Sequence, residues 1–266
     1  MKVYISADIE GITGVTTWSE TEKGNGDYNP FVKQMEKEVC AACRGAVNAG
    51  AEEIWVKDAH DSGRNIDPAI LPRNVKLIRG WSGHPFSMVQ ELDESFDALI
   101  FVGYHSCGGS KHNPLSHTMN CENVNYIKIN DRYASEFLLH AYAAATVNVP
   151  VVFVSGDEGL CDEISEVNEK ISTLAVKKGI GNSTISINTD LANELTEKKV
   201  KEALMGKLDL CNIKLPDSFK VEISYANHIR AYKASFYPGM KQISPTNVLF
   251  ETNDYFEVLR MISFVV

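Results

Sequence analysis

Short runs of β-branched and apolar residues recur along the first 155 positions: 2–7 KVYISA, 53–57 EIWVK, 75–78 VKLI, 98–103 ALIFVG and 150–155 PVVFVS. Runs this short and this continuous suit strands buried on both faces. Between the first two lies a stretch, near 28–49, with apolar or small residues on a 3.6 period. Gly50 follows it in the position favoured at helix C-termini. NDRYASEFLLHAYAAATVN reads as a second helix, with Asn130 or Asp131 as its cap, leading straight into the run at 150. Strands alternating with helices predict an α/β fold: a largely parallel sheet flanked by helices.

After about residue 160 the pattern changes. EISEVNEKISTLAVKKG and TDLANELTEKKVKEALMG read as amphipathic, charge-rich helices. FKVEISYA and NVLFET read as strands, and NDYFEVLRMISFVV as a closing helix capped by Asn253. The expected organisation is an α/β domain over 1–160 and a smaller C-terminal α+β lobe over 161–266.

A formal net charge of −9 disfavours a nucleic-acid partner, which needs a basic face for phosphates. No basic amphipathic stretch suggests a membrane surface, and the longest apolar runs are too short to span one. The start, MKVYISADIEG, has no secretory pattern. Six scattered cysteines read as reduced thiols, so the expected location is the cytoplasm. The CAAC at Cys40–Cys43 falls inside the first helix, where packed, inert thiols are expected.

Ligands in open α/β sheets bind beyond the carboxyl ends of the strands, and here those ends carry metal-binding chemistry. The first run delivers Asp8 and Glu10, two positions apart and so on one side of an extended chain. The second delivers Asp58, His60 and Asp61; the fourth delivers His105. Five of the seven histidines fall between residues 60 and 117. Each feature alone has an ordinary explanation, as a turn cap, an ion pair or a satisfied core histidine. Asp58 and Asp61 serve equally as turn formers or as acceptors orienting His60, and Asp157 and Glu158 as turn residues. The coincidence on successive strand ends singles out Asp8, Glu10, His60 and His105. Mixed carboxylate and imidazole donors suit zinc, or less specifically manganese and ferrous iron, and their number points to a two-metal hydrolytic site.

Five segments, in order, resemble the zinc-dependent D-aminopeptidases of the self-compartmentalising, dipeptide-transport-operon type. They are SADIEGITG, VKDAHDSG, HPFSMVQELDESFDALIFVGYHS, LSHTM and INDRYASE. The resemblance spans nearly the whole chain. It implies two zinc ions per subunit held by Asp8, Glu10, His60, His105 and Glu136, with Asp8 as the bridge. From sequence alone, Glu136 is only an acid favourably placed in the first turn of a helix. The resemblance further implies that His117, rather than its neighbour His112, is catalytic, in acid–base work or in stabilising charge on the tetrahedral intermediate. It implies short peptide or amino-acid amide substrates with an N-terminal D-residue, and a ring-shaped homo-oligomer such as a decamer. One departure stands out: Asn182 occupies a place where the family pattern has a basic residue.

Two other functions share these donors. One is a different binuclear metallohydrolase, acting on non-peptide amides or phosphoesters; phosphoesters call for Arg or Lys nearby, and Arg64, Lys111 and Arg132 are the candidates in sequence. The other is a non-catalytic metal-binding module. A nucleotide site is disfavoured, because GITG and GGSK are neither Walker nor dinucleotide-binding loops.

Overall fold

The strands that end in candidate donors lie side by side in one sheet. A computed structural model describes all 266 residues. Seven strands form the larger sheet: β1 (Lys2–Ala7), β2 (Glu53–Asp58), β3 (Val75–Ile78), β4 (Ala98–Tyr104), β7 (Val151–Asp157), β8 (Ser172–Ile180) and β9 (Ser183–Ser186). Their order is β3-β2-β1-β4-β7-β8-β9. All neighbours are parallel except the edge hairpin of β8 with β9. β4 and β7 are buried at every residue, as their unbroken apolar sequences require.

After β1 the chain passes outward through β2 and β3, then returns to place β4 on β1's other side. Strand order therefore reverses between β1 and β4, and crevices at such a switch point receive ligands. The crevice is tightly closed underneath. A Cβ added to Gly11 would stand 1.7 Å from the Tyr104 carbonyl oxygen, so only glycine lets the two loops meet there. Gly103, inside β4, takes φ +73° where β4 slips register against β7.

A second, antiparallel sheet has the order β11-β12-β10-β5-β6: β5 (Val124–Ile129), β6 (Arg132–Tyr133), β10 (Phe219–Tyr225), β11 (Lys241–Gln242) and β12 (Asn247–Thr252). The helices are α1 (Tyr28–Asn48), α2 (Glu136–Thr146), α3 (Glu158–Val167), α4 (Thr189–Leu204), α5 (His228–Ala234) and α6 (Tyr255–Val265). α1 packs on α4, and α2 on α6. One hydrophobic core is shared by residues from both sheets.

Several expectations need correction. Asn130 and Asp131 do not cap a helix: both take left-handed φ (51° and 67°) and turn β5 into β6, the conformation that Asn and Asp tolerate best in tight hairpins. α2 begins six residues after Asn130, with Ser135 accepting from the Leu138 amide. The helix expected across EISEVNEKISTLAVKKG stops at Val167, and STLAVKKGI is β8, where pairing to buried β7 overrides the amphipathic pattern. α6 is capped by Asp254, not Asn253. The division between sheets does not follow residue 160: β8, β9 and their strand pairing belong with the first sheet, while β5 and β6 belong with the second. Cys40 and Cys43 lie in α1 as free thiols, and burial pushes both above the ordinary thiol range.

Candidate metal centre

Asp8 and Glu10 leave β1, His60 follows β2, His105 follows β4, and Glu136 opens α2; their side chains meet in the crevice. Two groups of donor atoms result: Asp8, Glu10 and His60 in one, His105, His117 and Glu136 in the other. Asp8 joins them. Its Oδ1 lies 3.3 Å from His60 Nδ1 and its Oδ2 3.5 Å from His105 Nε2. The remaining separations are 3.1 Å for His60 Nδ1 to Glu10 Oε2, 3.4 Å for His105 Nε2 to Glu136 Oε2, and 3.4 Å for His117 Nε2 to Glu136 Oε1. These are long for charge-assisted hydrogen bonds. Two ligands each held about 2.1 Å from one tetrahedral zinc would stand about 3.4 Å apart.

The hydrogen-bond inventory points the same way. Each histidine gives its other ring nitrogen to a backbone carbonyl: His60 Nε2 to Thr21 (2.9 Å), His105 Nδ1 to Ser106 (2.9 Å), and His117 Nδ1 to Leu115 (2.9 Å). A carbonyl only accepts, so those nitrogens carry the protons, and in the neutral rings the lone pairs face the carboxylates. Asp8 Oδ2, Glu10 Oε2 and His105 Nε2 are buried with no hydrogen-bond partner. Buried acceptors facing acceptors require a cation between them. Zinc fits this donor set, and histidines anchored through the far nitrogen are the usual surroundings of such an ion.

Without a metal, protons take its place. Against the opposing effect of burial, Glu136 and Asp8 raise His105 to about 10, and Glu10 with Asp8 raises His60 well above the ordinary value. Glu136 is held down to about 2 by His117 and His105 despite its burial, while burial and the neighbouring Glu10 push Asp8 up.

A polar scaffold beneath the donors escaped the sequence reading. The buried Lys177 ammonium of β8 donates to the carbonyls of Glu10 and Val15 (2.6 Å to the latter). Asn113 Nδ2 bridges the Glu10 carbonyl (3.1 Å) and Asp157 (3.0 Å). Asp157, the residue paired with Lys177 in the β7–β8 register, also accepts from the amide and hydroxyl of Ser106 and caps α3. The Glu10 loop and the His105 loop are thus tied to one buried carboxylate. Glu38, inside α1, accepts from the Thr13 amide and holds the turn after Glu10. Of this scaffold the sequence offered only Asp157, as a turn residue at the end of the run at 150–155.

The other candidates sort clearly. Asp58 is a turn former, accepting from the amides of Asn65 and Ile66 rather than orienting His60. His112 packs over Gly159 and Gly179, outside both donor groups. Glu158 pairs with Lys178 at the surface, and Asn182 sits exposed in the β8–β9 turn. The donors open into a cavity of about 550 Å³. Trp18 and Trp81 form part of its walls, with Trp18 edge-on to His117 (centroids 5.3 Å apart), and Glu22, Asp61 and Glu122 also line it. No Lys or Arg does.

Comparison with known proteins agrees with this arrangement. The sequence profile described as D-aminopeptidase matches residues 1–264. A D-aminopeptidase of Bacillus subtilis (strain 168) is 33% identical over 261 residues, covering 97% of this chain and 93% of the relative. A solved structure, described as the Zn-dependent D-aminopeptidase DppA from Bacillus subtilis, a self-compartmentalizing protease, superposes with a TM-score of 0.93 at 31% identity, covering all of this chain and 96% of that one. A polar constellation at the switch point of a sheet that matches this enzyme over its whole length leaves one assignment: the chain belongs to the D-aminopeptidase family.

Proposed function

We propose that the chain is a zinc-dependent aminopeptidase that removes an N-terminal D-residue from short peptides or amino-acid amides, using two metal ions per subunit. Asp8, Glu10 and His60 would hold one ion, His105 and Glu136 the other, with Asp8 shared. The observation that carries this reading is the set of buried, unpartnered acceptors on Asp8, Glu10 and His105, aimed at one another. Zinc, when bound, supplies a Lewis acid that polarises a carbonyl and brings the pKa of a water towards neutrality.

The protein's own groups divide the remaining work. His105 is fully buried, whereas the His117 side chain is 12% exposed and lines the cavity. Of the two stacked imidazoles, His117 is therefore the one that can touch substrate; His60, which also lines the cavity, is engaged with Asp8 and Glu10. Its Nδ1 proton is fixed on Leu115, so His117 Nε2, beside Glu136 Oε1 at 3.4 Å, is the nitrogen that would accept a proton or donate one to the leaving amine. The stacked His105 ring (centroids 4.3 Å apart, 13° between planes) and the edge of Trp18 hold its plane. Glu22, Asp61 and Glu122 give the cavity a negative lining suited to a substrate ammonium. The same lining, without Lys or Arg, disfavours phosphoesters. Selectivity for D-residues follows from family membership.

Assembly into a closed homo-oligomer is proposed on the same basis. Ile229, Tyr232 and Phe236, on and just after α5, are 66%, 60% and 71% exposed, an apolar surface suited to burial between subunits.

His60→Ala and His117→Ala test the roles. The first is expected to lose one of two bound zinc ions together with turnover of D-alanine amide. The second is expected to keep both ions while kcat falls about 10²- to 10⁴-fold. Full metal content in His60→Ala, or full activity in His117→Ala, would refute the corresponding role.

A further inference from the structure

Beside the metal cavity lies a second, smaller one of about 130 Å³. Leu139 of α2 and Leu259 and Ile262 of α6 supply its apolar walls. Ser87 and Met119 line both cavities, so the two are neighbours across these residues alone. Both residues hold left-handed backbone (φ 44° and 67°), a conformation costly for side-chain-bearing residues and concentrated at functional sites. At Met119 the conformation is tied to the metal centre, because its amide donates to Glu136 Oε1 (2.7 Å).

One polar side chain, His140, also faces this cavity. His140 is 1% exposed and lines it. Its Nδ1 donates to the Glu136 carbonyl (2.7 Å), and its Nε2 has no partner in the protein. Glu136 and His140 are one turn apart on α2, about 6 Å along the axis. The volume is close to the roughly 150 Å³ of an engineered apolar cavity that takes one benzene ring.

We propose that this cavity is the subsite for the side chain of the substrate's N-terminal residue, and that it selects a branched aliphatic or single-ring apolar side chain. The proposal rests on the aminopeptidase reading and adds the substrate class. α6 walls the cavity, whose 130 Å³ matches one side chain and is too small for a continuing chain, while the adjoining 550 Å³ cavity has room for the rest of the substrate. His140 Nε2 offers one acceptor in the wall, so a donor on the entering side chain is tolerated where an acceptor is not.

The test compares D-leucine amide with D-alanine amide on zinc-loaded protein. The expected kcat/KM ratio is at least tenfold in favour of leucine. Ile262→Phe, which shrinks the cavity, is expected to bring the ratio near one. Leu259→Ala, which enlarges it, is expected to shift the preference to D-phenylalanine amide. Phe264→Ala, an exposed position of α6 that does not line the cavity, is expected to keep the wild-type ratio. Turnover of D-alanine amide with no advantage for leucine in the wild type would overturn the subsite and leave the aminopeptidase reading standing; so would an Ile262→Phe protein that folds and keeps the wild-type ratio. No turnover of any of these amides would overturn both.

Discussion

Lys177 sits in a strand, fully enclosed, with its ammonium spent on two backbone carbonyls. Burial lowers it to about 8, so its charge costs stability that only a structural return explains. The return is the shape of the Glu10 loop, which must present Glu10 and Asp8 at ligand separations. Lys177→Met removes both hydrogen bonds and leaves the Glu10 donor free to swing. The expected result is a 10- to 100-fold loss of zinc affinity, read by competition with a chromogenic chelator, with the fold retained by circular dichroism. Affinity equal to wild type would show that the loop holds its shape unaided. At this scale the sequence was legible where a residue's type announces its chemistry, as for Asp8, Glu10, His60 and His105. Glu136 was invisible, because an acid opening a helix is favourable for reasons unrelated to metals. Lys177 and Asn113 were invisible, and Asp157 was legible only as a turn residue, because their partners are brought near by strand order, which no local pattern encodes.

Among the elements, β1, β4 and β7 could be read directly, since a strand buried on both faces has no choice but continuous apolar sequence. The misreadings fall where two signals compete. β8 alternates lysines with small and apolar residues and can pass for an amphipathic helix until pairing with β7 decides it. Asn130 and Asp131 are good caps and equally good hairpin turns, and the turn prevails because β5 has a partner in β10. Gly103 shows what strand geometry demands at the centre. Its φ is +73°, and an added Cβ would meet the Asp8 carbonyl oxygen at 2.3 Å. Gly103→Ala therefore forces β1 and β4 apart at the donors. It is expected to destabilise by roughly 3 kcal/mol or more in thermal or urea unfolding. A change below about 1 kcal/mol would mean that the crevice floor yields easily.

For the whole molecule, the reversal of strand order between β1 and β4 gathers donors from positions 8 to 136 into one crevice. That gathering makes metal affinity depend on pH. In the metal-free protein, against the effect of burial, Glu136 and Asp8 push His105 up to about 10 from its ordinary value near 6.5, and Glu10 with Asp8 raises His60 in the same direction. Their protonated forms stabilise the metal-free fold fully below about 6.5, and that contribution is lost as pH rises towards 10. Zinc needs the neutral rings, so apparent zinc affinity is expected to climb over the same interval, with protons released on binding. Calorimetric titrations in buffers of different ionisation enthalpy check this; pH-independent affinity between 6.5 and 9 would contradict it.

The most direct measurement is anomalous diffraction at the zinc edge from crystals of the zinc-loaded protein. Two peaks are expected per chain, roughly 3.5–4 Å apart. One should contact Asp8, Glu10 and His60, the other Asp8, His105 and Glu136. A single peak, or ions bound away from these side chains, would contradict the account.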